Sequence, residues 1–121
     1  MKTVMIVDDE PLLSEILKEE FERHGLAVIE ARNGHEAYAK LMATPVDAVV
    51  TDIRMKGGNG LDLLAEIQAL AKPRPLVFLA SAFADITHED AKKRGARGMF
   101  GKPYDFDVIV EAVKASLEID S

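Results

Sequence analysis

Three aspartates, a serine and a lysine stand where short apolar runs end. Asp8 and Asp9 follow Val4-Met5-Ile6-Val7, and Asp52 closes Asp47-Ala48-Val49-Val50-Thr51. Ser81 follows Leu76-Val77-Phe78-Leu79-Ala80, and Lys102 follows Gly98-Met99-Phe100-Gly101. Clustered carboxylates repel one another and favour a cation between them. Oxygen ligands with no Cys or His beside them select a hard ion, Mg²⁺ or Mn²⁺. A lysine ammonium and a serine hydroxyl are donors for phosphoryl oxygens. A carboxylate facing a phosphorus atom is a nucleophile that forms an aspartyl-phosphate. These residue types together suit metal-dependent phosphoryl transfer onto an aspartate.

Such chemistry needs the five residues in one place, and the hydropathy pattern supplies it. The near-continuous apolar runs suit parallel strands buried on both faces, and Ala27–Ala31 reads as another. Helical spacings separate them. Pro11 opens a first helix with Leu13, Ile16, Leu17 and Phe21 on one stripe, stopped at Gly25. Asn33 caps a second carrying Ala37, Leu41 and Met42, closed by Pro45. Leu61, Leu64, Ile67 and Leu70 mark a third, stopped near Pro73. Residues 85–94 form a weakly apolar fourth, and Asp105 caps a fifth with Phe106, Ile109, Val110, Val113 and Leu117 inward. Five strands alternating with five helices predict an α/β fold, a parallel sheet with helices on both faces. Ligands of open parallel sheets bind beyond the carboxyl ends of the strands, where these side chains stand. Arg54 and Lys56 are the further cations expected at that edge.

Composition narrows the function. The chain has 121 residues and neither linker nor repeat, so residues 1–121 are expected to form one domain. It has no cysteine, which removes disulfide scaffolds, thiolate metal sites and thiol catalysis. Its net charge of −6 argues against direct nucleic-acid binding. Four apolar residues before the first acids are too few for a signal peptide or a span, so a cytoplasmic protein without membrane attachment is expected. The Gly57-Gly58-Asn59-Gly60 stretch has neither the dinucleotide-binding register nor a Walker pattern. His24, His35 and His88 make no metal or triad spacing and read as surface residues.

Asp8-Asp9, Asp52, Gly60, Ser81-Ala82 and Lys102-Pro103, in this order at strand ends, resemble the receiver domains of two-component response regulators. The resemblance covers essentially the whole chain. It implies a flavodoxin-like, doubly wound, five-stranded parallel sheet of order 2-1-3-4-5 with five helices. It also implies roles. Asp52 is the phosphoacceptor, and Asp9, Asp52 and the Arg54 backbone carbonyl are metal ligands, with Asp8 acting through a bound water. Lys102 contacts the phosphoryl group, Ser81 is the switch hydroxyl, and Ala82 leaves room for the phosphate. The Lys102-Pro103 bond is expected to be cis. The implied donor is a sensor histidine kinase or a histidine phosphotransfer protein. The fourth helix, fifth strand and fifth helix carry the output to a downstream domain or protein, or to a homodimer formed on phosphorylation. The resemblance implies a phosphoacceptor switch rather than an enzyme with a separate substrate.

Two positions depart from the family pattern. Lys56 replaces a proline four residues after the phosphoacceptor, which is expected to loosen the loop. Met99 takes the place of the switch aromatic, and alternation sends the neighbouring Phe100 to the opposite face. An aspartate-nucleophile phosphatase would carry an acid two residues after the nucleophile, where this chain has Arg54.

Overall fold

The fold is built from five strands and five helices in strict alternation. The computed structural model describes residues 1–81, 86–101 and 103–119, with Ser81 and Ile119 described by backbone alone. The strands are β1 (Thr3–Val7), β2 (Ala27–Ala31), β3 (Ala48–Asp52), β4 (Leu76–Ser81) and β5 (Gly98–Gly101). The helices are α1 (Pro11–Arg23), α2 (Gly34–Ala43), α3 (Gly60–Gln68), α4 (His88–Lys93) and α5 (Phe106–Ile119). All strand pairs are parallel, in the order β2-β1-β3-β4-β5. The fold class expected from the sequence is the one observed.

Period-two alternation divides the core into two layers. Met5, Val7, Val49, Val77 and Leu79 face Ala37 of α2, Leu63, Leu64 and Ile67 of α3, and Ala91 of α4. Val4, Ile6, Val50 and Phe78 face Leu17 and Phe21 of α1 and Ile109, Val110 and Val113 of α5. Both faces of the central strands are therefore removed from water, which is why their sequences read as unbroken apolar runs. Met99 joins the α2–α3–α4 layer, whereas Phe100 stacks on Phe78 in the other, with ring centroids 6.0 Å apart. The expected opposition of these two side chains is observed.

Some boundaries and faces differ from expectation. Helix α1 buries Ser14, Leu17 and Phe21, while Ile16 is exposed on the adjoining side. Ile16 lies roughly 100° round the helix from Leu17, too far to reach the same layer. Met42 is likewise exposed, and Leu70 lies just beyond the end of α3. Helix α4 is shorter than the segment expected from 85 to 94. Thr87 starts it by accepting a hydrogen bond from the Asp90 amide at 3.0 Å. The Asn33 cap is present, accepting from the Glu36 amide at 2.9 Å, and Asp105 accepts from the Val108 amide at 3.2 Å. Among the described residues no helix is long and apolar enough to cross a membrane.

Candidate functional site

Strand register decides which side chains meet. Val7 pairs with Thr51, so the chain leaves β1 at the level where β3 presents Asp52. Asp52 in turn pairs with Ala80. Carboxylate oxygens of Asp8, Asp9 and Asp52 all lie within 4.8 Å of one another. Asp8 and Asp52 are each only 6% exposed, while Asp9 is open to solvent. Two buried carboxylates this close to a third are costly without a counter-ion. Three hard oxygen donors, one facing water, fit a small divalent ion that keeps part of its hydration shell. The acids expected to meet do meet.

Backbone contacts hold the cluster. The Asp8 amide donates to the Ala31 carbonyl at 3.1 Å, carrying the β1–β2 pairing one residue past the strand. The Glu10 amide donates to Asp8 Oδ1 at 2.8 Å, turning the chain into α1. The Arg54 amide faces Asp52 Oδ1 at 3.4 Å. At 3.4 Å the Lys56 amide faces Asp9 Oδ2. Proline at that position would have no such N–H. Lys56 thus links the β3–α3 loop to the acid turn, besides adding a charge there. Gly60 lets α3 begin against the site. A Cβ on it would collide with the Asp52 carbonyl, and its amide donates to the Ile53 carbonyl at 2.9 Å.

Two residues at this edge were not anticipated. Arg32 Nη1 donates to the Asp8 carbonyl at 3.2 Å while Nη2 donates to Glu30 Oε2, also at 3.2 Å. Glu30 Oε1 accepts from the buried Ser14 hydroxyl at 3.2 Å. A side-chain chain therefore runs from α1 through β2 to the acid turn. Arg54 and Lys56 are not the only cations to be set beside the acids. Arg32 stands just past β2 as Asp8 stands just past β1, and its place beyond a strand end is the signal that marks it. Tyr104 is half-buried, with its ring edge-on to Phe106 at 6.2 Å between centroids. Burial, then the charges on Asp52, Asp8 and Glu10, push its phenol far above the usual tyrosine range. Its signal in the sequence is its position two residues beyond Lys102.

Lys102, Ala82, the Ser81 side chain and the Lys102-Pro103 bond fall outside the described residues, so their expected roles stand as proposals.

A family model described as the response regulator receiver domain matches residues 4–114. The sporulation initiation phosphotransferase F of Bacillus subtilis is 30% identical over 119 residues, 98% of this chain and 95% of that protein. The response regulator protein PilR of Pseudomonas aeruginosa is 35% identical over 115 residues, 95% of this chain and 26% of its own. The chain spans about a quarter of the length of the first curated relatives it matches. Among solved structures, the response regulator TrrA from Thermotoga maritima in complex with Mg(2+)-BeF is 35% identical. It superposes with a TM-score of 0.84, covering 95% of this chain and 98% of that one.

Proposed function

Because this chain belongs to the response regulator receiver domain family, whose members are phosphoacceptor switches of two-component signalling, we propose that it is phosphorylated on Asp52. A carboxylate oxygen of Asp52 attacks the phosphorus of a phosphohistidine. The new O–P bond forms as the N–P bond breaks, and the electron pair leaves with the donor imidazole. The observation that carries this reading is the meeting of Asp8, Asp9 and Asp52 within 4.8 Å at the carboxyl edge of the sheet. Asp9, Asp52 and the Arg54 carbonyl would hold Mg²⁺ or Mn²⁺, with Asp8 acting through a bound water. When bound, the ion offsets the negative charge of the carboxylates and the incoming phosphoryl oxygens. The Mg²⁺ in the Thermotoga maritima relative supports this choice of ion.

The remaining parts of the reading rest on the family. Lys102 neutralises phosphoryl charge and Ser81 supplies a donor to a phosphoryl oxygen. The added charge shifts a balance between two conformations, read through the face made by α4, β5 and α5. On α5 that face includes Val108, which is 53% exposed, together with Ala112 and Ala115. The donor is a histidine kinase or a histidine phosphotransfer protein, and the recipient is an output domain, a partner protein or a second copy. The whole of residues 1–121 acts as one receiver unit in the cytoplasm, without turnover of a separate substrate.

Incubation with Mg²⁺ and acetyl phosphate, read by intact mass, tests the proposal. The chain is expected to gain the mass of one phosphoryl group, and Asp52→Asn is expected to gain nothing. An equal gain in the variant would assign the acceptor elsewhere.

A further inference from the structure

The amino edge of the sheet, opposite the acids, carries a groove of a different character. A cavity of about 660 Å³ lies where β4 and β5 begin and where α3 and α4 end. Lys72, Arg74, Lys92 and Arg97 line it, and no Asp or Glu does. In a chain of net charge −6, a lining of four cations without an acid is a local reversal of sign. None of the four forms an ion pair among the described residues.

The walls are fixed by the fold. The Arg97 amide donates to the Val77 carbonyl at 2.7 Å, and Arg74 Nη1 donates to the Leu70 carbonyl at 3.2 Å. Gly95 adopts φ +100, and a Cβ there would strike the Gln68 side chain, so the α4–β5 turn is seated on the end of α3. Pro73 and Pro75 form a stiff, apolar part of the lining.

A second hollow, about 420 Å³, continues from the first and shares Pro73, Arg74 and Pro75 with it. Its lining is mainly apolar and includes Leu41, Met42, Val46 and Leu70. Met42 is 54% exposed there, a large apolar side chain left in water. The acid on this lining, Asp47, is engaged by the Thr3 amide at 2.7 Å. An apolar hollow running into a cationic one is complementary to a ligand with the same two halves.

We propose that this edge is a docking groove for an acidic, amphipathic segment of a partner protein. Its carboxylates lie along Lys72, Arg74, Lys92 and Arg97, and its apolar side chains fill the hollow around Met42 and Leu70. A lone phosphate leaves most of a cavity of this size empty. Single-stranded nucleic acid is the poorer fit. Its backbone gains from cations but nothing from the apolar hollow, and an overall negative protein repels it. Cations exposed at a rim act mainly on association rate and salt dependence, and the apolar half supplies burial.

The test uses a short fluorescein-labelled peptide of Glu and Leu at helical spacing, the same peptide with Gln for Glu, and a labelled single-stranded oligonucleotide. Binding is followed by anisotropy with the 121-residue chain. The acidic peptide is expected to bind with micromolar affinity. A Lys92→Glu, Arg97→Glu double variant should bind it about tenfold more weakly, with a shallower salt dependence. Met42→Ser should weaken the peptide and leave the oligonucleotide unchanged. All three positions are exposed, and thermal unfolding of each variant checks that the fold is kept. Failure to saturate by about 1 mM overturns the proposal. Equal binding of the Gln peptide, indifference to the charge reversals, or tighter binding of the oligonucleotide does so too. Asp52 phosphorylation plays no part in this readout, so the groove and the phosphoacceptor reading stand or fall separately.

Discussion

Tyr104 places a neutral donor group among charges of one sign. Burial favours its protonated phenol, and the carboxylates of Asp52, Asp8 and Glu10 favour it further. A group whose native pKa lies above its unfolded value of about 10 adds stability below that value. As pH rises past 10 the unfolded chain releases the phenolic proton and the native protein keeps it. The native state then binds more protons, and stability falls with rising pH. Wild type is expected to lose stability between about pH 10 and 11, and Tyr104→Phe to lose less over the same interval, by urea unfolding. A difference between the two proteins that does not change with pH would show that the phenol titrates normally. Asp8 and Asp52 were legible in the sequence because each closes a largely apolar run. Tyr104 and Arg32 were not, for two reasons. Tyr104 reaches the acids from two residues beyond Lys102. Arg32 acts through a main-chain carbonyl, and main-chain acceptors leave no mark on residue type.

At the scale of elements, strands were easier to read than helix faces. Strands β2 and β5 occupy the segments their apolar runs marked, because Gly25 and Arg32 bracket the first and Arg97 and Lys102 the second. Helix α3 shows where pattern alone falls short. Leu61, Leu64 and Ile67 suggested one stripe, yet Leu63 is fully buried as well, since α3 contributes two adjacent rows to its layer. The start of α3 is set by two neighbouring residues with different tasks. Asn59 caps the helix, accepting from the Asp62 amide at 2.8 Å, and Gly60 lets the first turn press on the end of β3. Asn59→Ala removes a cap and is expected to cost about 1 kcal/mol. Gly60→Ala places a methyl against the Asp52 carbonyl, and overpacking of backbone is expected to cost about 1–3 kcal/mol. Only Gly60→Ala should also slow phosphorylation by acetyl phosphate, because it displaces the strand end that carries Asp52, the proposed acceptor. Equal phosphorylation rates in the two variants would mean that the junction tolerates the methyl without moving Asp52.

Across the whole molecule, the acid cluster sets function against stability. The parallel sheet buries one side chain of each pair of strand neighbours in each layer, and the acids gather at its carboxyl edge. Unfolding separates Asp52 from Asp8 and Asp9, so the repulsion between Asp52 and that pair burdens mainly the native state. A cation that binds only the folded cluster relieves it. By mass action the gain is RT ln(1 + [Mg²⁺]/Kd), about 2.7 kcal/mol at a hundredfold excess over Kd. For a chain of this length such a gain raises the unfolding midpoint by roughly 8–12 °C. Asp9→Ala takes away the solvent-facing carboxylate, the proposed metal ligand, and one of three repelling charges. Without metal it is expected to unfold at the same temperature as wild type or slightly above, the exposed charge being partly screened. With Mg²⁺ it is expected to stay there while wild type rises past it. The crossing of the two midpoints in a Mg²⁺ titration, followed by circular dichroism at low ionic strength, is the signature. A parallel rise in both proteins would mean that Mg²⁺ acts by general screening of the net negative charge, and the cluster would lose its claim to be the metal site.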